Sequence, residues 1–383
     1  MQSRAHQLLD LGQSVWLDFI RRGHLLDGGF DRDVQEAGVV GVTSNPTIFQ
    51  QAIAGSSDYD AALAAGIARG LEGEPLFEAL AIEDIRMACD QLKPVFERSH
   101  GLDGRVSLEV SPNLARDTAG TIAAAKRLHA ETARANVMIK IPATREGLPA
   151  ITATLAAGIS VNVTLIFSEA RYLEVMEAWL AGLEKFALAG GDLASVRSVA
   201  SFFVSRVDGK IDAAIEQRIA TLPDGSTERV ELAGLKGQAA VANARIAYAA
   251  YEQVVTGARF RTLRARGAHV QRPLWASTST KNPAYRDVLY VEELIGADTV
   301  NTMPPATLKA FNDHGVVESR IQRDVQGART LFGRLTALGV PVATLIDQLE
   351  DEGVRAFEKS FADLLATLET RRRELAAQRG AGR

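Results

Sequence analysis

Cysteine is nearly absent from this chain, in which Cys89 is the single one among 383 residues. One cysteine forms no internal disulfide, and Cys89 lies in a helical stretch where a small buried residue is more common than a nucleophile. The chain also lacks a run of about 18 apolar residues, and its first segment lacks the apolar core of a signal peptide. We therefore expect a cytoplasmic protein that does not cross a membrane.

Excess positive charge and clustered metal ligands are missing as well. The formal net charge is −4, which gives no electrostatic reason to expect nucleic acid or an anionic membrane as a partner. The six histidines are scattered, so we expect no metal site. No Gly-x-Gly-x-x-Gly motif follows an apolar run, which weakens the case for a dinucleotide cofactor.

What the chain does contain is a regular alternation of strand-like and helix-like segments. Near-continuous apolar runs predict strands buried on both faces, and their alternation with helices predicts a parallel sheet. Eight such units favour a closed (β/α)8 TIM-type barrel over an open doubly wound sheet. The predicted strands are 14–18, 39–43, 105–110, 137–141, 159–167, 198–204, 273–277 and 298–302.

The barrel is predicted as one domain over residues 1–383. Its long connections, 44–104 and 206–272, are each expected to hold two helices, with a turn at 223–226 inside the second. A C-terminal helical extension is expected over 305–383. The predicted helices are 79–98, 118–134, 168–189, 232–255, 283–295 and 341–376. The oligomeric state stays open, with a homodimer as one candidate.

Lys140 stands out because it lies in the apolar run 136–143. A strand this apolar is expected to be buried, and lysine is almost never fully buried unless its charge is compensated. Glu109 and Asp18 fall at the ends of other predicted strands, and closing the barrel brings those ends to one mouth. Lys140 is then either the partner of Glu109 in a structural ion pair or a nucleophile. The residues alone do not decide between these interpretations.

An amine attacks a carbonyl carbon only when it is unprotonated, and free lysine titrates near ~10.4. If Lys140 forms a Schiff base, Glu109 is the natural group to protonate the departing hydroxyl. Asp18 is placed to move the proton of a substrate hydroxyl as a carbon–carbon bond breaks. Other polar side chains at the strand ends either hold hydroxyls and water or bond to loop backbones. These are Asn45, Asn162, Thr164 and Ser201.

Five segments at these strand ends resemble, in order, the transaldolases of the pentose phosphate pathway. The resemblance extends over nearly the whole chain. The length of the chain and its segment 275–283 are similar to those of the longer bacterial subgroup. The five segments are 41–49 (GVTSNPTIF), 106–110 (VSLEV), 138–144 (MIKIPAT), 159–167 (ISVNVTLIF) and 200–208 (ASFFVSRVD).

The resemblance implies a class I aldolase-like barrel with additional helices and a Schiff-base lysine on strand four, where Lys140 stands. Glu109 then works through a water that Thr164 positions, and Asp18 takes part in breaking and forming the carbon–carbon bond. The implied reaction moves a dihydroxyacetone unit from sedoheptulose 7-phosphate or fructose 6-phosphate to glyceraldehyde 3-phosphate or erythrose 4-phosphate. No metal or organic cofactor is implied.

The resemblance also implies a set of substrate contacts. Asn45 and Asn162 match asparagines that hold the dihydroxyacetone unit, and Ser201 matches a serine near it. Arg206 matches an arginine that binds the substrate phosphate, and the alternative is an ordinary charge at a helix start.

The sequence departs from the family pattern at two places. The strand-six motif commonly has Pro and Gly where Phe202 and Ser205 stand. Many members carry a second phosphate-binding arginine after strand seven, and none stands in 275–283. Lys281 either replaces it or is a solvated lysine in a loop or at a helix start. Ser277, like Ser279 beside it, either bonds the phosphate or caps a following helix.

Two other functions remain open at this stage. A related lysine-dependent aldolase releases free dihydroxyacetone, although such relatives tend to carry another residue where Glu109 stands. A catalytically silent barrel would bind sugar phosphates without turning them over.

Overall fold

A computed structural model describes residues 2–381, with side chains described as far as residue 375. Its eight parallel strands pair in chain order and close into a barrel, which confirms the predicted (β/α)8 fold. Each predicted strand overlaps an observed one, although the second has two residues rather than five. The strands are β1 (Gln13–Leu17), β2 (Gly41–Val42), β3 (Arg105–Glu109), β4 (Val137–Pro142), β5 (Val161–Ile166), β6 (Ser198–Phe203), β7 (Gln271–Ala276) and β8 (Thr299–Met303).

Helices surround the barrel and cover its ends. They are α1 (Arg4–Asp10), α2 (Arg22–Leu26), α3 (Gly29–Gln35), α4 (Pro46–Ala54), α5 (Asp60–Ala68), α6 (Gly73–Gln91), α7 (Lys93–Arg98), α8 (Thr118–Thr132), α9 (Gly147–Ala156), α10 (Glu169–Leu188), α11 (Ser205–Ala220), α12 (Thr227–Gly234), α13 (Ala239–Val255), α14 (Ala258–Arg264), α15 (Leu289–Glu293), α16 (Pro305–His314), α17 (Val325–Ala337) and α18 (Val342–Ala381).

Side-chain caps explain where two predicted helices begin. Asp117 accepts the Gly120 N–H at 3.0 Å at the start of α8, and Ser168 accepts the Arg171 N–H at 3.1 Å at the start of α10. Each cap satisfies a backbone donor that the first helical turn leaves free. The expected helices at 118–134 and 168–189 are therefore confirmed.

The predicted helix at 232–255 is wrong in its first part, because the chain breaks between α12 and α13. Gly237 has a φ of 73° there. Asp212 accepts the Gly237 N–H at 2.9 Å, and Asp208 accepts the Ala240 N–H at 2.7 Å. Both carboxylates belong to α11. They accept backbone N–H groups where α13 begins, so residues outside α13 determine where that helix starts.

Two further helix predictions need correction. Only α15 forms within 283–295, since Tyr285 is held in a turn where its hydroxyl donates to Asp212 Oδ2 at 2.6 Å. Each long connection holds more than the expected two helices: α4 to α7 fall in the first, and α11 to α14 arise from the second.

The C-terminal extension contains α16, α17 and α18, while its residues 382 and 383 lie outside the described part. Helix α18 crosses the C-terminal end of the barrel. A Cβ added at Gly353 would stand 3.0 Å from Leu165 Cδ2 in β5, and Thr47 of α4 donates to Ser360 Oγ at 2.9 Å. The glycine thus permits a close approach of this helix to the barrel.

Within the described chain, no single helix is long and apolar enough to cross a membrane. The segments Val325–Ala337 and Val342–Leu375 reach that length and composition only as a pair, and they meet at a bend of 99°.

Candidate active site

A cavity of about 320 Å³ opens at the C-terminal ends of the strands, and we call it the mouth cavity. It brings together eight of the ten residues that the sequence predicts for the site. These are Asp18, Asn45, Lys140, Thr164, Ser201, Arg206, Ser277 and Lys281. Glu109 and Asn162 stand directly opposite Lys140 on the two neighbouring strands.

Lys140 projects from β4, a strand whose six residues are all buried. Its Nζ lies 3.1 Å from Glu109 Oε2 and donates to the Ser44 carbonyl at 3.2 Å. The ion pair required by the structural interpretation is therefore present. Lys140 also faces the mouth cavity, as a nucleophile must, so the geometry is compatible with both interpretations.

The two carboxyl groups of the site titrate abnormally for the same reason. Burial raises the pKa of Glu109 above its ordinary value, although the charge of Lys140 opposes the shift. Burial likewise raises the pKa of Asp18, against the opposing charges of Lys140 and Lys281. A carboxylate with a raised pKa is a stronger base than a solvated one, which suits both groups for proton transfer.

A chain of hydrogen bonds fixes the polar side chains beneath the mouth cavity. Ser201 donates to Asn162 Oδ1 at 2.7 Å, and Asn162 Nδ2 donates to Ser107 Oγ at 2.9 Å. Ser44 donates to the Ser107 carbonyl at 2.7 Å. Ser107 was not among the predicted site residues. Its position in phase with Glu109 is the sequence signal that marks it.

Asn45 has a structural task in addition to facing the mouth cavity. It is the N-cap of α4, where its Oδ1 accepts the Ile48 N–H at 2.9 Å. The cap orients the amide, so its Nδ2 is the group left for a ligand.

Thr164 is buried, and its Oγ1 has no hydrogen-bond partner within the described residues. The next residue, Leu165, has a φ of 62°, and the pairing of β5 with β6 shifts register between Val163 and Ile166. A positive φ at a branched residue stores strain of the kind common at functional sites. An unpaired hydroxyl facing a cavity is a ready partner for water or ligand.

Arg206 lies near the start of α11, where its guanidinium stands 5.2 Å from the Phe203 ring and 6.0 Å from the Phe357 ring. No carboxylate of the described chain lies within 4 Å of it, and burial lowers its pKa. A guanidinium without a counter-ion at a helix N-terminus favours an anion.

Lys281, Ser277 and Ser279 all line the mouth cavity. Ser277 bonds the Ser205 hydroxyl at 2.9 Å, and Lys281 donates to Ser279 Oγ at 2.7 Å. The next helix, α15, begins only at Leu289. The alternatives of a helix cap and a helix-start lysine are therefore wrong, and Lys281 is an exposed loop residue beside the cavity.

Phe357, like Ser107, is a site residue that the sequence did not predict. Its ring lies 5.6 Å from Lys140 Nζ and lines the mouth cavity from α18. No local pattern marks it, because its position depends on how the C-terminal helix crosses the barrel.

Among the described residues, no group of three or more His, Cys, Asp or Glu side chains is arranged to hold a metal ion.

Comparison with known proteins shows the family to which the chain belongs. Residues 15–368 match the family model described as Transaldolase/Fructose-6-phosphate aldolase. A transaldolase of Thermobifida fusca is 50% identical over 366 residues, which cover 95% of this chain and 97% of that protein. Transaldolase 1 of Streptomyces coelicolor is 51% identical over 94% of this chain and 93% of its own length. A transaldolase of Mycobacterium ulcerans is 50% identical over 92% and 93%, respectively. The chain therefore belongs to the transaldolase/fructose-6-phosphate aldolase family, and its named relatives group it with the transaldolases.

Proposed function

We propose that the transaldolase reaction of this chain proceeds through a Schiff base on Lys140. The observation that carries the proposal is the position of Lys140 Nζ, which faces the mouth cavity 3.1 Å from Glu109 Oε2. A buried ion pair contributes little to stability when compared with apolar residues of the same volume. Stability alone therefore does not account for a buried Lys140–Glu109 pair beside a polar cavity, whereas a catalytic role for the two side chains does.

In the first half-reaction, Lys140 Nζ attacks the ketone carbon of fructose 6-phosphate or sedoheptulose 7-phosphate. Glu109, through a water held by the Thr164 hydroxyl, supplies the proton with which the carbinolamine loses water to form an iminium ion. Asp18 then takes a proton from the substrate hydroxyl. The carbon–carbon bond breaks, the aldose phosphate leaves, and the bonding electrons form an enamine on Lys140.

In the second half-reaction, the enamine attacks an aldose phosphate such as erythrose 4-phosphate or glyceraldehyde 3-phosphate. Asp18 returns the proton to the new hydroxyl, and water hydrolyses the iminium ion to free both Lys140 and the product. The expected kinetics are ping-pong, since one product leaves before the second substrate binds.

The polar groups of the mouth cavity divide between the two ends of the substrate. Asn45, Asn162 and Ser201 are proposed to hold the dihydroxyacetone unit near Lys140. Arg206 is proposed to bind the phosphate, because its guanidinium lies at the N-terminus of α11 without a carboxylate partner among the described residues. Ser277 and Lys281 line the same cavity and are proposed as additional phosphate contacts.

We further propose that the chain acts in the cytoplasm as one domain over residues 1–383, without a cofactor, and that its partners are sugar phosphates. The single cysteine, which is buried, supports a reducing compartment. A homodimer remains the candidate for its oligomeric state.

Reductive trapping tests the proposal. Incubation with fructose 6-phosphate and borohydride should add one three-carbon unit at Lys140, detected by mass spectrometry of peptides. Lys140→Arg keeps the positive charge beside Glu109 but cannot form a Schiff base, so it should show neither adduct nor transfer. Unmodified Lys140 in an enzyme that still catalyses transfer would refute the mechanism.

Analysis of the products formed by the same enzyme distinguishes a transaldolase from the two other functions. A transferase forms sedoheptulose 7-phosphate from fructose 6-phosphate and erythrose 4-phosphate, whereas an aldolase accumulates free dihydroxyacetone. A silent binding barrel gives neither product and no adduct.

A further inference from the structure

A second cavity lies at the opposite end of the barrel, and we call it the lower cavity. Its volume is about 450 Å³, enough for a molecule of several non-hydrogen atoms in addition to water. Its charged lining residues come from the N-terminal ends of strands, from α14 and from the segment that follows α14. They are Arg105, Arg197, Arg264, His269, Arg272 and Asp298.

Three of these arginines are buried: Arg105, Arg197 and Arg272 are 2%, 8% and 5% exposed. Arginine is almost never buried this deeply without a paired carboxylate. Arg272 has such a partner, since its Nη2 lies 3.0 Å from Asp103 Oδ1. Within the described residues, Arg105 and Arg197 have no carboxylate within 4 Å and bond instead to neutral acceptors, including the Gly101 and His100 carbonyls.

The acidic groups nearby do not balance these charges. Asp103 is already paired with Arg272, and Asp298 is an exposed residue that lines the cavity. Asp192 accepts the Ala194 N–H at 3.0 Å and lies outside the lining. Positive charge therefore predominates in the lower cavity.

The arginines are close enough to disturb one another. Burial, followed by the charges of Arg197 and Arg272, lowers the pKa of Arg105 to about 9. Burial and Arg272 lower the pKa of Arg197 to about 10. Both groups remain charged at neutral pH, so an anion placed between them would offset their mutual repulsion.

Arg197 also has a donor that is left unsatisfied within the described part of the chain. Arg197 Nε is buried and has no hydrogen-bond partner among the described residues. An unsatisfied buried donor costs free energy that a bound acceptor would recover. Arginine forks match the oxygens of phosphate groups particularly well.

We propose that the lower cavity binds a small phosphate-bearing anion, separately from the mouth cavity. Trp16 and Met138 line the lower cavity, and each lies two positions before a residue of the mouth cavity, Asp18 and Lys140 respectively. Side chains two apart in a strand share a face. The two cavities thus occupy opposite ends of one barrel interior, and this site goes beyond the proposed catalytic function.

Calorimetric titration with inorganic pyrophosphate at low ionic strength tests the proposal, since screening weakens charge pairing. The titration is made in an Arg206→Gln background, which removes the proposed phosphate contact of the mouth cavity. Arg197→Gln should weaken binding at least about tenfold, as expected for a lost charged hydrogen bond. Arg264→Gln, which alters an exposed residue and should not impair folding, should weaken it about threefold.

Arg261→Gln is the matched control, because Arg261 is exposed on the same helix α14 but does not line the lower cavity. It should leave the affinity unchanged. Titrations with orthophosphate and with glucose 6-phosphate then distinguish a site for inorganic anions from one for a phosphate ester. Neutral glucose should not bind there.

Two results would overturn the proposal. Pyrophosphate binding that disappears in the Arg206→Gln background would restrict anion binding to the mouth cavity. Binding that persists there but is equally strong in the Arg264→Gln and Arg261→Gln variants would exclude the lower cavity. If the trapping of Lys140 fails, the pyrophosphate titrations can still be interpreted, because none of the lower-cavity residues takes part in the proposed chemistry.

Discussion

Lys140 Nζ and Glu109 Oε2 lie 3.1 Å apart, and the two side chains are only 5% and 6% exposed. Removing one partner of a buried pair leaves the other charge uncompensated, which destabilises a protein by about 3 kcal/mol or more. In the proposed mechanism Glu109 also transfers protons to the carbinolamine. Replacing Glu109 should therefore change both the free energy of unfolding and the catalytic rate, and the two effects should differ in size.

Glu109→Gln keeps the size of the side chain and removes its proton transfer. We expect kcat for transfer to fall about 10²- to 10⁴-fold, with KM little changed, because general acid–base catalysis contributes on this order. Steady-state kinetics and the rate of borohydride trapping measure the loss. Glu97→Gln, at an exposed position of α7, is the control and should keep the original kcat. Full activity of Glu109→Gln would leave the carboxylate a purely structural partner.

Thr164→Val separates a structural hydroxyl from a catalytic one. Thr164 Oγ1 is buried without a partner in the described part of the chain, so replacing it by a methyl group should keep or raise the free energy of unfolding. We expect kcat to fall at least about tenfold, because the proposed water loses the Thr164 hydroxyl that holds it. Thr154 Oγ1 of α9 is also buried without a partner among the described residues, but Thr154 does not line the mouth cavity. Thr154→Val should change stability in the same direction and leave kcat as it was. Equal kcat in both variants would argue against the water.

The strand ends were predictable because their signal is local. An apolar run that stops at a polar residue locates the end of a parallel strand, and barrel closure brings all such ends together. Lys140, Glu109 and Asp18 reach the same region for this reason, although they lie far apart in sequence. Which of them touch depends on register. The sequence offered contact between Glu109 and Lys140 as one interpretation, and the structure supplies the register that sets the two residues side by side on β3 and β4.

Features set by distant contacts were not predictable. The break before α13 depends on carboxylates of α11, and the turn at Tyr285 depends on Asp212. Phe357 reaches the mouth cavity because α18 crosses the barrel, which no periodicity within α18 indicates. Helix α18 itself was expected from its own sequence, so the missing information was where it packs.

Arg206→Gln should act only on phosphorylated substrates. We expect kcat/KM for fructose 6-phosphate to fall about 100-fold, in line with a lost hydrogen bond between charged groups, and that for fructose to change little. Lys281→Gln should cost about threefold, because Lys281 is exposed and its charge is screened. Lys210→Gln alters the same helix as Arg206 outside the mouth cavity and serves as the control. Equal losses with fructose and its phosphate would assign Arg206 a structural role.

Asp208 should make stability depend on pH. Burial raises its pKa from 3.8 to about 6. Between these values the folded chain retains a proton that the unfolded chain has lost, so the free energy of unfolding falls as pH rises from about 4 to about 6. Asp208→Asn should reduce this slope, because the group no longer titrates. Asp84, whose pKa burial also raises to about 6, should maintain the remainder.

Urea unfolding at pH 4, 5, 6 and 7 measures the slope. The amide of Asp208→Asn can still accept the Ala240 N–H, so the fold should survive the change. Asp224→Asn is the control, since that side chain is 94% exposed and should leave the slope unchanged. An undiminished slope in Asp208→Asn would show that other groups cause the pH dependence.

In the proposed mechanism, Phe357 should determine how well the enzyme retains the enamine on Lys140. The ring lies 5.6 Å from Lys140 Nζ and 6.0 Å from the Arg206 guanidinium, so Phe357→Ala opens the covalent intermediate to water. We expect the ratio of released dihydroxyacetone to transferred product to rise about tenfold, because excluding water suppresses stray protonation. The truncation should also destabilise the fold by about 3 kcal/mol. Leu364→Ala, two turns further along α18 at a fully buried position, should have a similar stability cost without changing the ratio. If both variants release dihydroxyacetone to the same extent, general loosening of α18 explains the leak, and Phe357 has no specific part in retaining the intermediate.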